Sequence, residues 1–276
     1  EREGERRLPM ALAVLAAAGF DLMVPADFSI GTWSRIAYPV VLLLLLGLLV
    51  VGDPGRIDRE RPWLRVTTGL MIGLITLSTA ASAVRLVVGL LDKADFDSAA
   101  QLLSLGAAVW CTNVIAFALW YWHLDSGGPV ARAHGTGGVP AAFHFPEHSL
   151  EPLVEAGWYP QFVDYLALSF NTATAFSPTD VSAIRHWSKL WLIAESAISL
   201  VLAGLGLLVL GAKWLVSGAS HIASAFGVSE LVIGLTIGLA GSESRSAGVH
   251  ALDGFGEVDV ELVGLEAGPF EVAAFV

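Results

Sequence analysis

The stretch that decides the fold covers residues 162–210: FVDYLALSFNTATAFSPTD (162–180), VSAIRHWSK (181–189) and LWLIAESAISLVLAGLGLLVL (190–210). It has three parts: a short apolar segment seeded with hydroxyls, a Ser-Pro-Thr-Asp break, and a long apolar run. Residues 162–176 cover about 22 Å as a helix, too little for a hydrocarbon core of ~30 Å. Residues 190–210 are long enough. A short half-helix, a polar break and a full span are the layout of a re-entrant loop. Broken backbone at membrane depth is tolerated only where protein buries it or water bathes it, so this stretch is the first place to look for function.

The composition fits a membrane. Hydrophobic residues make up 55% of the chain and charged residues 15%, with a mean hydropathy of +0.67. A soluble domain carries about a quarter charged residues. The expected fold is all-α, a polytopic transmembrane helix bundle with a re-entrant half-helix, lying multi-pass in the cell membrane with the lipid bilayer as its partner.

Working outward from 162–210, four apolar runs precede it, at 8–24, 36–51, 66–91 and 99–122. The last closes on Trp120-Tyr121-Trp122, an aromatic interface belt. These give a four-span region over 1–122. Residues 123–160 are rich in Gly and Pro and are expected to be an irregular polar loop. Residues 161–210 hold the pore-like half-helix and a fifth span. Residues 211–240 form a less apolar, amphipathic piece, part of a C-terminal hairpin. Residues 241–276 are an acidic tail, read as a short strand or as disorder.

Charge gives an orientation. Arg2, Arg6 and Arg7 precede the first run, and Arg56, Arg59, Arg61 and Arg65 follow the second. Two spans put both groups on one side, and the positive-inside rule makes it cytoplasmic. Four spans return 123–160 to that side. The net charge is −11, and from Glu243 onward seven acids face one base, Arg245. That acidity weighs against nucleic acid or anionic lipid as a partner of the tail. The single cysteine, Cys111, excludes an intrachain disulfide.

The chemistry-bearing residues have competing readings. Thr172, Thr174, Ser177, Thr179 and Asp180 would line a polar path, their oxygens replacing part of a cation's water shell. Equally, Ser177 is an N-cap, Pro178 fits the first helical position and Asp180 suits the helix dipole, so the motif would simply start the last span. Glu195 lies about 7.5 Å into its apolar run. It is either a cation or proton ligand, or a near-interface acid paired with Lys189 or Arg185. Arg85 sits near the end of its run and is expected to snorkel. His144-Phe145-Pro146-Glu147-His148 has the letters of an inverted zinc motif, but Pro146 opposes the helix such ligands need. Glycines 135–138 have no Lys-Ser/Thr after them and make no P-loop. No nucleophile–base pair is evident, so no enzyme activity, cofactor or metal is expected.

Three resemblances follow from these residues. The run 99–122, then Tyr165 to Phe176, then Ser-Pro-Thr-Asp and a long helix looks like the outer helix, pore helix, filter and inner helix of two-span potassium channels. Residues 8–205 look closer to an uncharacterised family of bacterial integral membrane proteins, through Asn171 to Asp180, Gly106 to Pro129 and Asp53 to Asp58. The channel resemblance implies an ion path at 172–180 and a homo-oligomer around it. The filter glycines have no counterpart at Ala175 to Asp180, and a channel loop enters from outside whereas the charges place this one inside. Residues 211–237 are similar to the start of a repeat in sodium/calcium and related cation antiporters. That likeness implies a cation site near Ser229, Glu230 and Thr236, although Ser246 stands where the family's acid would be and no second repeat follows. The functional expectation is an ion-channel-like or ion-transport-related membrane protein handling monovalent or divalent cations. The alternatives are a truncated or fused antiporter relative and a non-transporting scaffold.

Overall fold

The computed structural model describes residues 3–23, 32–59, 61–91, 99–136, 138–150, 154, 157–174 and 180–227. It is dominated by helices: α1 Leu8–Met23, α2 Thr32–Gly52, α3 Pro62–Leu91, α4 Ala99–Leu124, α5 Pro129–His134, α6 Phe162–Thr174 and α7 His186–Ala225. Two short antiparallel strand pairs join them. β1 (Glu5–Arg6) pairs with β2 (Arg56–Ile57), and β3 (Phe143–His144) pairs with β4 (Ser182–Ala183). The all-α expectation stands. Among the described residues three helices are long and apolar enough to cross a membrane, the runs Pro62–Gly89, Ala100–Gly127 and His186–Ala225, and two shorter apolar helices accompany them.

The chain divides into two compact units, Glu1–Lys213 and Trp214–Val276. In the second, the described residues are the closing turns of α7 and Phe226-Gly227. The first unit is arranged around α4. Of its apolar window 67% is buried, against 28% for α3 and 18% for α7. Helices α1, α3 and α6 all pack on it, and α2 closes the gap between α1 and α3. Val14, Leu42, Ile72, Ile75, Leu119 and Tyr165 fill the space between them. The outward faces are apolar too: Leu44, Val66, Leu70, Leu77, Leu200 and Leu207 are all exposed. A surface that apolar is not what water selects.

Both α6 and α7 run antiparallel to α4. On α6, Phe162 stacks edge-on against Trp122, Ser169 reaches the Val114 carbonyl, and Phe170 meets Trp110. On α7, Trp191 packs on Trp120, Ser199 accepts from Asn113, and Leu202 joins Leu105 and Val109. Two successive helices pointing the same way force the link between them to return to its starting end. It does so through β4, which hydrogen-bonds to β3 beside Tyr121.

Three expectations need correcting. The Ser-Pro-Thr-Asp motif does not start the last helix: residues 180–185 are bend and strand, and α7 begins at His186. Pairing of β4 with β3 holds this backbone extended where a cap would have turned it helical. Helix α7 does not break at Gly211 but runs unbroken for 40 residues, His186–Ala225. The loop 123–160 is less irregular than its glycines suggest, since it holds α5, β3 and short 3-10 turns at Asp125–Gly127 and Pro146–Ser149.

Candidate functional site

The centre of the bundle is polar where α4, α6 and α7 meet. Glu195 on α7 is 0% exposed. The Tyr121 hydroxyl donates to its Oε2 at 2.6 Å, and Ser169 of α6 contacts its Oε1. Ser169 Oγ also donates to the Val114 carbonyl at 2.8 Å. A serine hydroxyl carries one hydrogen. Ser169 Oγ thus places that one hydrogen between the Val114 carbonyl and the Glu195 carboxyl. One turn along α7, Ser199 accepts from Asn113 Nδ2 at 3.2 Å. The network therefore ties three apolar helices together and surrounds a carboxyl that can hold a proton.

This overturns the expected pairing of Glu195 with Lys189 or Arg185: its partners are hydroxyls from α4 and α6. Of the other path residues, the described ones make no hydrogen bond to it. Thr172 and Thr174 turn their hydroxyls back onto their own helix, to Leu168 O at 2.8 Å and Phe170 O at 3.0 Å. Asp180 is exposed. Ser177 and Thr179 lie outside the described residues, as do Ser229, Glu230 and Thr236. Among the described residues no group of three His, Cys, Asp or Glu could hold a metal ion. His144 and His148 stack at 5.6 Å, and His148 Nδ1 faces the Phe145 carbonyl.

A second polar cluster lies at the end of the bundle where α4 finishes. Helix α4 ends in a turn in which Ser126, Gly127 and Gly128 all have positive φ, a conformation for which the two glycines carry no steric cost. The turn folds Asp125 back inside. Asp125 Oδ1 accepts from Ala142 N at 2.6 Å, and Oδ2 accepts from the Tyr165 hydroxyl at 2.5 Å. Arg132 of α5 donates through Nη1 to the carbonyls of Trp122 and Asp125, both at 2.7 Å. It thus adds a donor to carbonyls at the end of α4, one of which, Asp125 O, also accepts from Gly128 N, with its charge at the negative end of the helix dipole. Its guanidinium also lies 4.9 Å from the centre of the Tyr165 ring. Glu5 of β1 accepts from Trp122 Nε1 at 2.7 Å and from Phe162 N. Burial pushes the Glu5 carboxyl above its ordinary value, against the opposing effect of those two donors.

Beside this cluster is a cavity of about 470 Å³, lined both by charged residues (Arg7, Arg59, Arg61, Arg65, Asp53) and by apolar ones (Leu49, Ile57, Leu64, Val130). Asp53 is buried and holds Arg7 at 3.1 Å. Burial pulls the Arg7 guanidinium down from its ordinary value, and Asp53 partly restores it.

Sequence reasoning found Glu195 but missed its shell. The buried positions of α7 are Ser188, Glu195, Ser199 and Leu202. They fall on one helical face, and that stripe was readable. The partners Tyr121, Asn113 and Ser169 lie on other helices, and no local pattern announces them. No family model, no curated protein and no solved structure matches this chain.

Proposed function

We propose that the chain is a multi-pass membrane protein that handles a cation, a proton first of all, at Glu195. The observation that carries this reading is the carboxyl's position, fully buried between apolar helices and bonded only to hydroxyls. An ionisable group at bilayer depth costs ~2.5–3.5 kcal/mol or more and marks ion or proton pathways when it is kept. In this reading α1, α2, α3, α4 and α7 cross the bilayer. Helix α6 enters from the arginine-rich end and its chain returns there, as a re-entrant half-helix does. That end faces the cytoplasm, because it gathers Arg7, Arg56, Arg59, Arg61 and Arg65.

The test is proton flux. Purified protein in phosphatidylcholine vesicles loaded with a pH-sensitive dye should dissipate an imposed pH gradient, and Glu195→Gln should remove most of that flux while the protein stays folded. Flux equal in both proteins would move the path away from Glu195.

One observation favours a second reading, a scaffold without transport. The hydroxyls around Glu195 are the kind that hold membrane helices together. No flux in the wild type, together with a lowered unfolding temperature in Glu195→Gln, would establish the scaffold.

A further inference from the structure

We infer that the cavity between β2, the start of α3 and the end of α4 binds a phosphate-bearing anion, with an anionic phospholipid headgroup as the source that fits its shape. The inference goes beyond the proton reading and does not depend on Glu195.

Among the described residues, four arginines from three chain segments line this one cavity, against a single aspartate. Asp53 is already occupied. Its Oδ2 takes Arg7 at 3.1 Å and the backbone N–H groups of Asp58 at 3.0 Å and Arg59 at 3.3 Å. Arg7 is 6% exposed, and its Nε has no partner among the described residues. Arg61 and Arg65 are exposed, and among the described residues neither takes part in a salt bridge. The positive charge is therefore in excess where the cavity opens. Arginine forks match phosphate oxygens with paired N–H groups. The first turn of α3, opening on Pro62, adds backbone N–H groups and the positive end of a long helix dipole.

The apolar part of the wall decides the source. Leu49, Ile57, Leu64 and Val130 are apolar, and Val66 and Leu70 just beyond on α3 are exposed. A free phosphate has no use for that wall, whereas the glycerol and first methylenes of a phospholipid do. Basic pockets between helices at the cytoplasmic face are where anionic headgroups bind.

The experiment compares full-chain protein, wild type and Arg61→Gln/Arg65→Gln, in nanodiscs of phosphatidylcholine with and without phosphatidylglycerol, and in detergent with inorganic phosphate. The readout is the retained lipid or phosphate per protein and the shift in unfolding temperature. The two arginines are exposed, so the variant should fold; Lys189→Gln, an exposed base away from the cavity, controls for general charge. The expected result is preferential retention of phosphatidylglycerol by the wild type and by Lys189→Gln, weakened by roughly tenfold or more in the double variant. Each basic residue contributes about 1 kcal/mol near an anionic surface, and 1.4 kcal/mol is tenfold. Binding of inorganic phosphate with the same arginine dependence, and no preference for phosphatidylglycerol, keeps the phosphate site and overturns the lipid as its source. No retention of either, or equal weakening by Lys189→Gln, overturns the site.

Discussion

At the scale of single residues, Asp125 is the side chain with the most to lose. It satisfies the Ala142 amide and the Tyr165 hydroxyl, both buried. Replacing it with alanine strands two donors, at about 1–3 kcal/mol each. Asp125→Ala is therefore expected to lower the unfolding temperature far more than Asp180→Ala, whose side chain is exposed; equal loss in the two would refute the network. Glu5 makes a prediction about pH. Its carboxyl is raised in the folded protein, so the fold binds that proton more tightly than the unfolded chain does. The stabilisation it brings is complete below the unfolded value and fades as pH climbs through the folded one. Unfolding temperature should fall over that interval in the wild type and stay flatter in Glu5→Gln. None of this was legible in the sequence. Asp125 reads as a loop residue after an aromatic belt, and Glu5 as part of a charged arm. Their roles come from partners that tertiary structure alone supplies.

At the scale of elements, the helices were readable and their ends less so. Long apolar runs marked α1, α2, α3, α4 and α7 because burial, in protein or lipid, is the only stable place for them. The start of α7 was misread because a serine–proline pair is a strong local cap signal, and local signals yield where a strand pair claims the same backbone. The two-residue strands were invisible, being too short for any alternation. They are nevertheless demanding. A Cβ on Gly4 would lie 2.1 Å from Asp58 Oδ1 and 2.5 Å from the Ile57 carbonyl. Gly4→Ala should therefore unseat β1 from β2 at a cost of about 1–3 kcal/mol, as overpacking does. Faster hydrogen exchange at Arg7 N, which donates to the Gly55 carbonyl, would report it; unchanged exchange would show that the arm tolerates the methyl.

At the scale of the whole first unit, one end gathers a large polar cluster. β1, the α2–α3 link, the end of α4, α5, and the starts of α6 and α7 meet there: Tyr159 donates to the Glu3 carbonyl, and Ile184 N to the Ala142 carbonyl. The arginine and span counts put the first residues and the 123–160 segment on one side of a membrane; in the fold the two segments meet, through Tyr159 and Glu3. The counts did not foretell that α4 would be the hub, because its central place depends on which faces meet. In a Cys111→Ala background, cysteines at Glu3, His144 and Ser182 should react with a membrane-impermeant thiol reagent from the same side of sealed vesicles. Labelling of Ser182→Cys from the opposite side would mean that the chain crosses between α6 and α7.

The bonds from Glu5 to Trp122 and to Phe162 span separations of 117 and 157 residues along the chain. At a synthesis rate of roughly 5–20 residues per second, that carboxylate leaves the ribosome many seconds before either mate exists. The arm must wait, unlatched, while the intervening helices are threaded into place. Closing it has to wait for Phe162, so a nascent chain stalled before that residue would leave the latch open as a visible handle for quality control.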